Sequence, residues 1–190
     1  MKKTLFIALL AMFTLASQAQ IVSSRSSRIT TQKAEHTPSI FVDLGVGAFT
    51  GDIEDAGVAL DLGLRWNHMF TENIGWDILK VSAQTSTKEF TDALNVQGKT
   101  GIRGVTPVLF GNSTLYANFA GGYGYYTDIE EGGFVWEVGA GINITPRFAV
   151  GINYNSANYS FDWKDHYNYG GHEKIDVKCG IISLRLSYGF

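Results

Sequence analysis

From residue 39 onward, apolar side chains recur at every second position through most of the chain. At the far end Ile182, Leu184, Leu186, Tyr188 and Phe190 share one face, with Ser183, Arg185, Ser187 and Gly189 between them. Period-two alternation is what a half-exposed β-strand requires, and no helical period reproduces it. The same pattern predicts a first strand in which Ile40, Val42, Leu44, Val46 and Ala48 alternate with Asp43, Gly45 and Gly47. In the second, Leu60, Leu62, Leu64, Trp66 and Phe70 oppose Asp61, Gly63, Arg65 and Asn67. A third follows Thr71-Glu72-Asn73: Ile74, Trp76 and Ile78 keep one phase, then Leu79, Val81 and Ala83 take over the apolar positions. That slip predicts a bulge, or an end of the embedded stretch, near Ile78 to Lys80.

Strand four is expected over Val96 to Phe110, although Pro107 can neither donate to a ladder nor sit well in mid-strand. Strand five carries Leu115, Ala117, Phe119, Tyr123 and Tyr125 against Asn118, Ala120, Gly122 and Gly124. Strand six sets Trp136, Val138, Ala140, Ile142 and Ile144 against Glu137, Gly139, Gly141 and Asn143. Strand seven points Phe148, Val150, Ile152 and Tyr154 outward and Ala149, Gly151, Asn153 and Asn155 inward. The eighth ends the chain; upstream, Ile175, Val177, Cys179 and Ile181 hold the opposite parity, which predicts a second bulge near Ile181 and Ile182.

Connection lengths suggest an orientation. Thr71 to Asn73, Gly111 to Ser113 and Thr145 to Arg147 read as tight turns, whereas Gly51 to Gly57, Ser86 to Leu94, Thr127 to Gly133 and Phe161 to Glu173 read as longer loops. Short periplasmic turns, longer extracellular loops and an even strand count describe an outer-membrane barrel. The expected architecture is therefore all-β: an eight-stranded antiparallel up-and-down transmembrane β-barrel with both termini in the periplasm. Apolar side chains then face lipid, polar ones face the lumen, and the terminal aromatic sits at the membrane boundary. A soluble lipocalin-like barrel is the alternative; it would enclose the apolar face and leave Asp61, Arg65, Glu137 and Arg185 in solvent.

The N-terminus fits export. Lys2 and Lys3 precede an apolar stretch from Thr4 to Ala16, and Ser17-Gln18-Ala19 offers a small-residue cleavage pattern before Gln20. The stretch is shorter than the roughly 20 residues of a membrane helix. Residues 1–19 are thus expected to be a cleaved signal peptide and residues 20–38 a flexible periplasmic segment, because that stretch lacks a hydrophobic period. Its Arg25, Arg28 and Lys33 could plug or bind, but dispersed basic residues are ordinarily solvated. Residues 39–190 form the barrel domain.

Composition agrees. Hydrophobic residues make up 45% of the chain, and past the leader they are spread by alternation rather than gathered into a membrane helix. Glycine, at 22 residues, is well above the average usage of about 7% and gives room inside a narrow barrel. Cys179 stands alone, so no intramolecular disulfide can form. The formal net charge of −3 argues against a nucleic-acid partner.

Two motifs carry a resemblance. Leu184-Arg185-Leu186-Ser187-Tyr188-Gly189-Phe190 resembles the signal read by the barrel assembly machinery, with Leu186, Tyr188 and Phe190 as its apolar positions. With the turn Ile144-Thr145-Pro146-Arg147-Phe148-Ala149-Val150-Gly151, the segment from Ser39 to Phe190 resembles the small outer-membrane β-barrel family of Gram-negative bacteria. That family includes porin-like eight-stranded barrels and the membrane domain of outer membrane protein A. The resemblance implies outer-membrane localisation, contact with membrane lipid and lipopolysaccharide, the assembly machinery as a partner, and a monomer. No peptidoglycan-binding domain follows the barrel here, so wall anchoring is not implied.

Eight strands leave an interior only wide enough for side chains. Inward parity places Asp43, Asp61, Asp77 and Glu137 there with Arg65, Arg103, Arg185 and Lys99. Near balance of sign predicts a salt-bridge network rather than a catalytic or ion-relaying pair, because unpaired charge in so narrow a space is costly. The last loop gathers Phe161, Trp163, His166, Tyr167, Tyr169 and His172, a composition suited to recognising an extracellular ligand. Aromatics at the membrane interface among solvated charges would look the same. No metal or cofactor is expected, since the His and acid spacing matches no ligand pattern. The expected function is a structural or surface-interaction role without catalysis. A narrow porin is the alternative, and then a lipid A-modifying enzyme, for which His166 and His172 lie near Ser156 and Ser160 without a recognisable nucleophile–base pairing.

Overall fold

In the computed structural model, residues 38–52, 57–88, 94–108, 113–127, 130–164 and 172–190 are described, and the expected leader and most of the N-terminal segment lie outside them. Eight strands run in chain order: β1 (Ile40–Gly51), β2 (Val58–Met69), β3 (Ile74–Ser86), β4 (Leu94–Val105), β5 (Thr114–Tyr126), β6 (Glu131–Asn143), β7 (Phe148–Lys164) and β8 (His172–Gly189). Each pairs antiparallel with its sequence neighbours, and β1 pairs with β8 from Phe41↔Gly189 to Gly51↔Cys179, closing the barrel. Closure satisfies the backbone groups that an open sheet would leave at an edge, so the strands can cross a medium that offers no hydrogen bonds. No helix among the described residues is long and apolar enough to span a membrane.

Alternation decides which face meets lipid. Leu44, Val46, Phe119, Val138, Ile152 and Leu184 are each substantially exposed, whereas Asp43, Gln97, Glu137 and Asn155 are buried inside. A contiguous apolar band around a polar interior is stable only when a nonpolar solvent surrounds it. Aromatic side chains border the band. At the end bearing the termini, Trp66, Phe70, Trp76, Tyr188 and Phe190 are exposed; Phe70 stacks on Trp76, and Trp76 Nε1 donates to Thr100 Oγ1 at 2.8 Å. At the distal end Tyr123, Tyr125 and Phe134 play the same part.

The bulge expected in β3 is present. The β2 partner of Asp77 is Asn67 and that of Leu79 is Trp66, so Ile78 is the extra residue, and the β3–β4 register shifts between Asp77 and Lys80. The extra residue returns Leu79 to the lipid face and turns Lys80 into the lumen.

Several boundaries differ from expectation. Strand four is Leu94–Val105, so Pro107 lies beyond its end, where its missing N–H costs no ladder bond. The connection to β5 is consequently 106–113 rather than the tight turn Gly111 to Ser113. Strand six starts at Glu131, which shrinks the expected loop Thr127 to Gly133 to 127–130. The bulge near Ile181 and Ile182 is absent: β8 pairs in continuous register with both neighbours, and Cys179 and Ile181 stay buried inside the barrel. Their apolar character reflects an apolar stretch of lumen at that height, not a change of face.

Inward tyrosines exploit the glycines. A Cβ built at Gly141 would lie 2.8 Å from Tyr116 Cε1, and one at Gly133 2.9 Å from Tyr159 Cδ1. Each ring lies across space that a side chain would fill, so the bare backbone of one strand is covered by an aromatic from another.

The outward face yields a direct test. Leu184→Arg, on the lipid-facing centre of β8, should destabilise the barrel in lipid vesicles by about 2–4 kcal/mol in urea titrations. An unchanged midpoint would contradict lipid exposure there.

Candidate functional site

The lumen is a column of polar side chains layered along the barrel axis. In the ion-paired layer nearest the terminal end, Arg65 from β2 donates to Asp43 of β1 (Nε to Oδ2 3.2 Å, Nη2 to Oδ1 3.4 Å) and to Asp77 Oδ1 of β3 (3.4 Å). Asp43 Oδ1 also accepts from Ser187 Oγ at 2.6 Å, and Asp77 Oδ1 from Asn67 Nδ2 at 2.9 Å. The Arg65 guanidinium lies 4.5 Å from the centre of the Phe41 ring, an apolar floor that leaves its donor edge for the carboxylates.

Glu137 of β6 occupies the middle. Its fully buried carboxylate accepts from Lys99 Nζ at 2.7 Å, Arg185 Nη1 at 2.7 Å, Asn118 Nδ2 at 3.3 Å and Lys80 Nζ. Arg185 Nη2 also donates to Asp61 Oδ2 at 2.9 Å. The chain thus ties β2, β3, β4, β5, β6 and β8 together through one carboxylate and its partners. Removing one partner from such a set leaves uncompensated charge in a low-dielectric space.

Above it lies an amide layer. Gln97 Nε2 donates to Gln84 Oε1 at 2.9 Å and to Asn155 Oδ1 at 3.2 Å, while Asn155 Nδ2 and Lys99 Nζ donate back to Gln97 Oε1, both at 2.8 Å. Tyr159 Oη then donates to Asn95 Oδ1 at 2.5 Å. Val135, Ala157, Tyr159 and Cys179, packed against Phe49 and Tyr126, form an apolar stopper at the distal end. This stopper explains the apolar inner parity of β8.

All seven predicted lumen residues, Asp43, Asp61, Arg65, Asp77, Arg103, Glu137 and Arg185, are buried, but they do not form one chain of ion pairs. Arg103 makes no ion pair among the described residues; its Nη2 donates to Asn143 Oδ1 at 2.9 Å and its guanidinium lies 3.8 Å from the Tyr116 ring centre. Lys99 joins the central cluster, as its inward parity suggests. Lys80 was absent from the expected set, although the phase slip in β3 was the signal that turns it inward.

At the distal end β7 and β8 outrun their neighbours. Pairing of β6 with β7 stops at Gly133↔Tyr159 and that of β1 with β8 at Gly51↔Cys179, yet β7 and β8 continue pairing to Lys164↔His172. Phe161, Trp163 and His172 therefore lie on a projecting two-stranded ribbon rather than in a loop, and His166, Tyr167 and Tyr169 fall outside the described residues. Leu186, Tyr188 and Phe190 are exposed on the outer face of the barrel near its terminal end.

A family model for the outer membrane protein beta-barrel domain matches residues 5–190. The chain belongs to that family. This outer-membrane barrel is also similar to solved structures. The outer membrane enzyme PagL matches at 14% identity and a TM-score of 0.54, over 79% of this chain and 99% of that one. Neisserial surface protein A matches at 9% and 0.49, over 80% and 96%. OprG from Pseudomonas aeruginosa matches at 10% and 0.43, over 82% and 98%. At such identities the likeness to PagL concerns the fold alone. No curated protein matches the chain.

The central carboxylate gives a quantitative expectation. Glu137→Ala should lower stability by about 3–5 kcal/mol, because it strands buried cations. Adding Lys80→Met should recover part of the loss. The midpoint of heat-dependent gel mobility reads both, and an additive double variant would contradict the coupling.

Proposed function

We propose that this outer-membrane barrel has a structural or surface-interaction role, exerted at its distal end, and that this end faces the outside of the cell. The observation that carries the reading is the projecting β7–β8 ribbon on a barrel whose interior is occupied by its own side chains. A ribbon held by a rigid base presents side chains on both faces at low entropic cost, which suits recognition. The aromatics and histidines of Phe161, Trp163, His166, Tyr167, Tyr169 and His172 are the residues assigned to that contact. Orientation is supported by the termini, which share one end in an even-stranded barrel, and by two of the three connections at that end, 70–73 and 144–147, which are short, whereas the third, 106–113, is longer.

Lipid and lipopolysaccharide surround the barrel in this reading, the assembly machinery inserts it through Leu186, Tyr188 and Phe190, and it works as a monomer. Signal cleavage after Ala19 precedes insertion.

A narrow porin is the competing role. Complete burial of Gln97, Lys99 and Glu137, and the stopper around Tyr159 and Cys179, weigh against a continuous water path. Catalysis would need a nucleophile beside a base. Ser160 Oγ hydrogen-bonds the Asp176 carboxylate on the exposed surface, and no imidazole joins that pair among the described side chains, which weighs against a histidine-activated serine there.

Purified protein in planar bilayers should show no stable unitary current steps; such steps would replace this reading with the porin. Turnover of labelled lipopolysaccharide that is lost in His166→Ala would replace it with an enzyme. Protease added to intact cells should cut within residues 165–171, and cutting only after membrane rupture would reverse the orientation. N-terminal sequencing of the mature chain should begin at Gln20.

A further inference from the structure

We infer that the terminal mouth of the barrel holds a binding site for a small organic anion with an apolar body, seated on Arg103. Two observations converge there. Among the described residues buried inside the barrel, the cations Arg65, Lys80, Lys99, Arg103 and Arg185 outnumber the carboxylates Asp43, Asp61, Asp77 and Glu137 by one. Among the described residues Arg103 is the cation without a carboxylate: each of the other four makes an ion pair, whereas it has one amide oxygen and the face of Tyr116.

Arg103 borders a cavity of about 310 Å³ open at this mouth. That volume stands at the lower end of the range for small-molecule sites, roughly 300–1,000 Å³. The guanidinium carries five N–H donors in a planar fork that matches an oxyanion, and only one is engaged by another side chain among the described residues.

Other polar groups on the wall suit an anion too. Thr71, Thr114 and Thr145 line the cavity, and each hydroxyl oxygen already accepts a protein hydrogen bond: Thr71 from Asn73 N and Ile74 N, Thr114 from Asn143 Nδ2, Thr145 from Arg147 N and Phe148 N. With the oxygen so occupied, the hydroxyl proton remains as a donor. Phe41, Met69, Val105, Val108 and Pro146 supply apolar surface for the body of the ligand. Glu72 is the opposing charge; it is exposed in the β2–β3 turn, where water screens it.

The shared chemistry is an oxyanion on a compact apolar group, and its source is either a carboxylate or a phosphate monoester. Benzoate and phenyl phosphate are therefore titrated into the full mature protein in neutral-detergent micelles, with benzyl alcohol as the uncharged control, by calorimetry and arginine side-chain NMR. Saturable binding of at least one anion, weakened by added salt and about tenfold tighter than benzyl alcohol, is expected from a charge-assisted contact. The tighter of the two anions assigns the class.

Arg103→Gln should lose about tenfold in affinity while keeping heat-dependent gel mobility. Should that variant fail to fold, Glu72→Gln on the exposed rim reads the same site and should tighten anion binding about twofold. Absence of saturable anion binding, equal affinity for benzyl alcohol, or affinity untouched in a folded Arg103→Gln overturns the site.

Discussion

The hydrogen-bonded seam between β1 and β8 is the constraint on which everything else depends. Eleven facing residue positions from Phe41↔Gly189 to Gly51↔Cys179 turn a meander into a ring. Hydrocarbon offers no partner for a backbone amide, so a barrel left open there would expose a row of donors and acceptors to lipid. Once the ring is closed, its circumference is set by the strand number, and so is the width of the space inside. The outward face can then be apolar throughout, because solvation of polar groups has been moved entirely to the interior.

That interior has a different problem. It is narrow and carries nine ionisable groups among the described residues, and most of them find partners on other strands rather than along their own. Glu137 solves most of it by accepting from three cations contributed by β3, β4 and β8. A shared acceptor of this kind is rigid, since moving any one strand strains contacts to the others. Some polar atoms, including Asp61 Oδ1, Ser82 Oγ and Arg185 Nε, have no hydrogen-bond partner among the described residues, so the described side chains alone do not saturate the network.

Much of the architecture was legible because a strand with one face in lipid and one in a polar lumen must alternate. Period two gave the identity of nearly every inward charge, and the slip at Ile78 gave the bulge. Boundaries were harder. Pro107 blurred the end of β4, because its effect depends on whether pairing has already stopped. The opposite parity of Cys179 and Ile181 was misread as a bulge because a pattern that equates apolar with outward cannot represent an apolar patch inside.

Sequence by itself determined the strand count, the sign of the two faces and most of the charges that lie within, Lys80 excepted, since these follow from local spacing and from the cost of placing charge in lipid. Tertiary structure alone decided who pairs with whom. Lys80 and Glu137 are 57 residues apart and Arg185 and Asp61 are 124, on strands that are not neighbours in the sheet, so no local rule connects them. It also decided that Arg103 is left without a carboxylate among the described residues, because that depends on barrel stagger and on the height at which each side chain enters the lumen. Spacing along a chain records which way a residue points; only closure of the ring brings opposite walls within reach of each other.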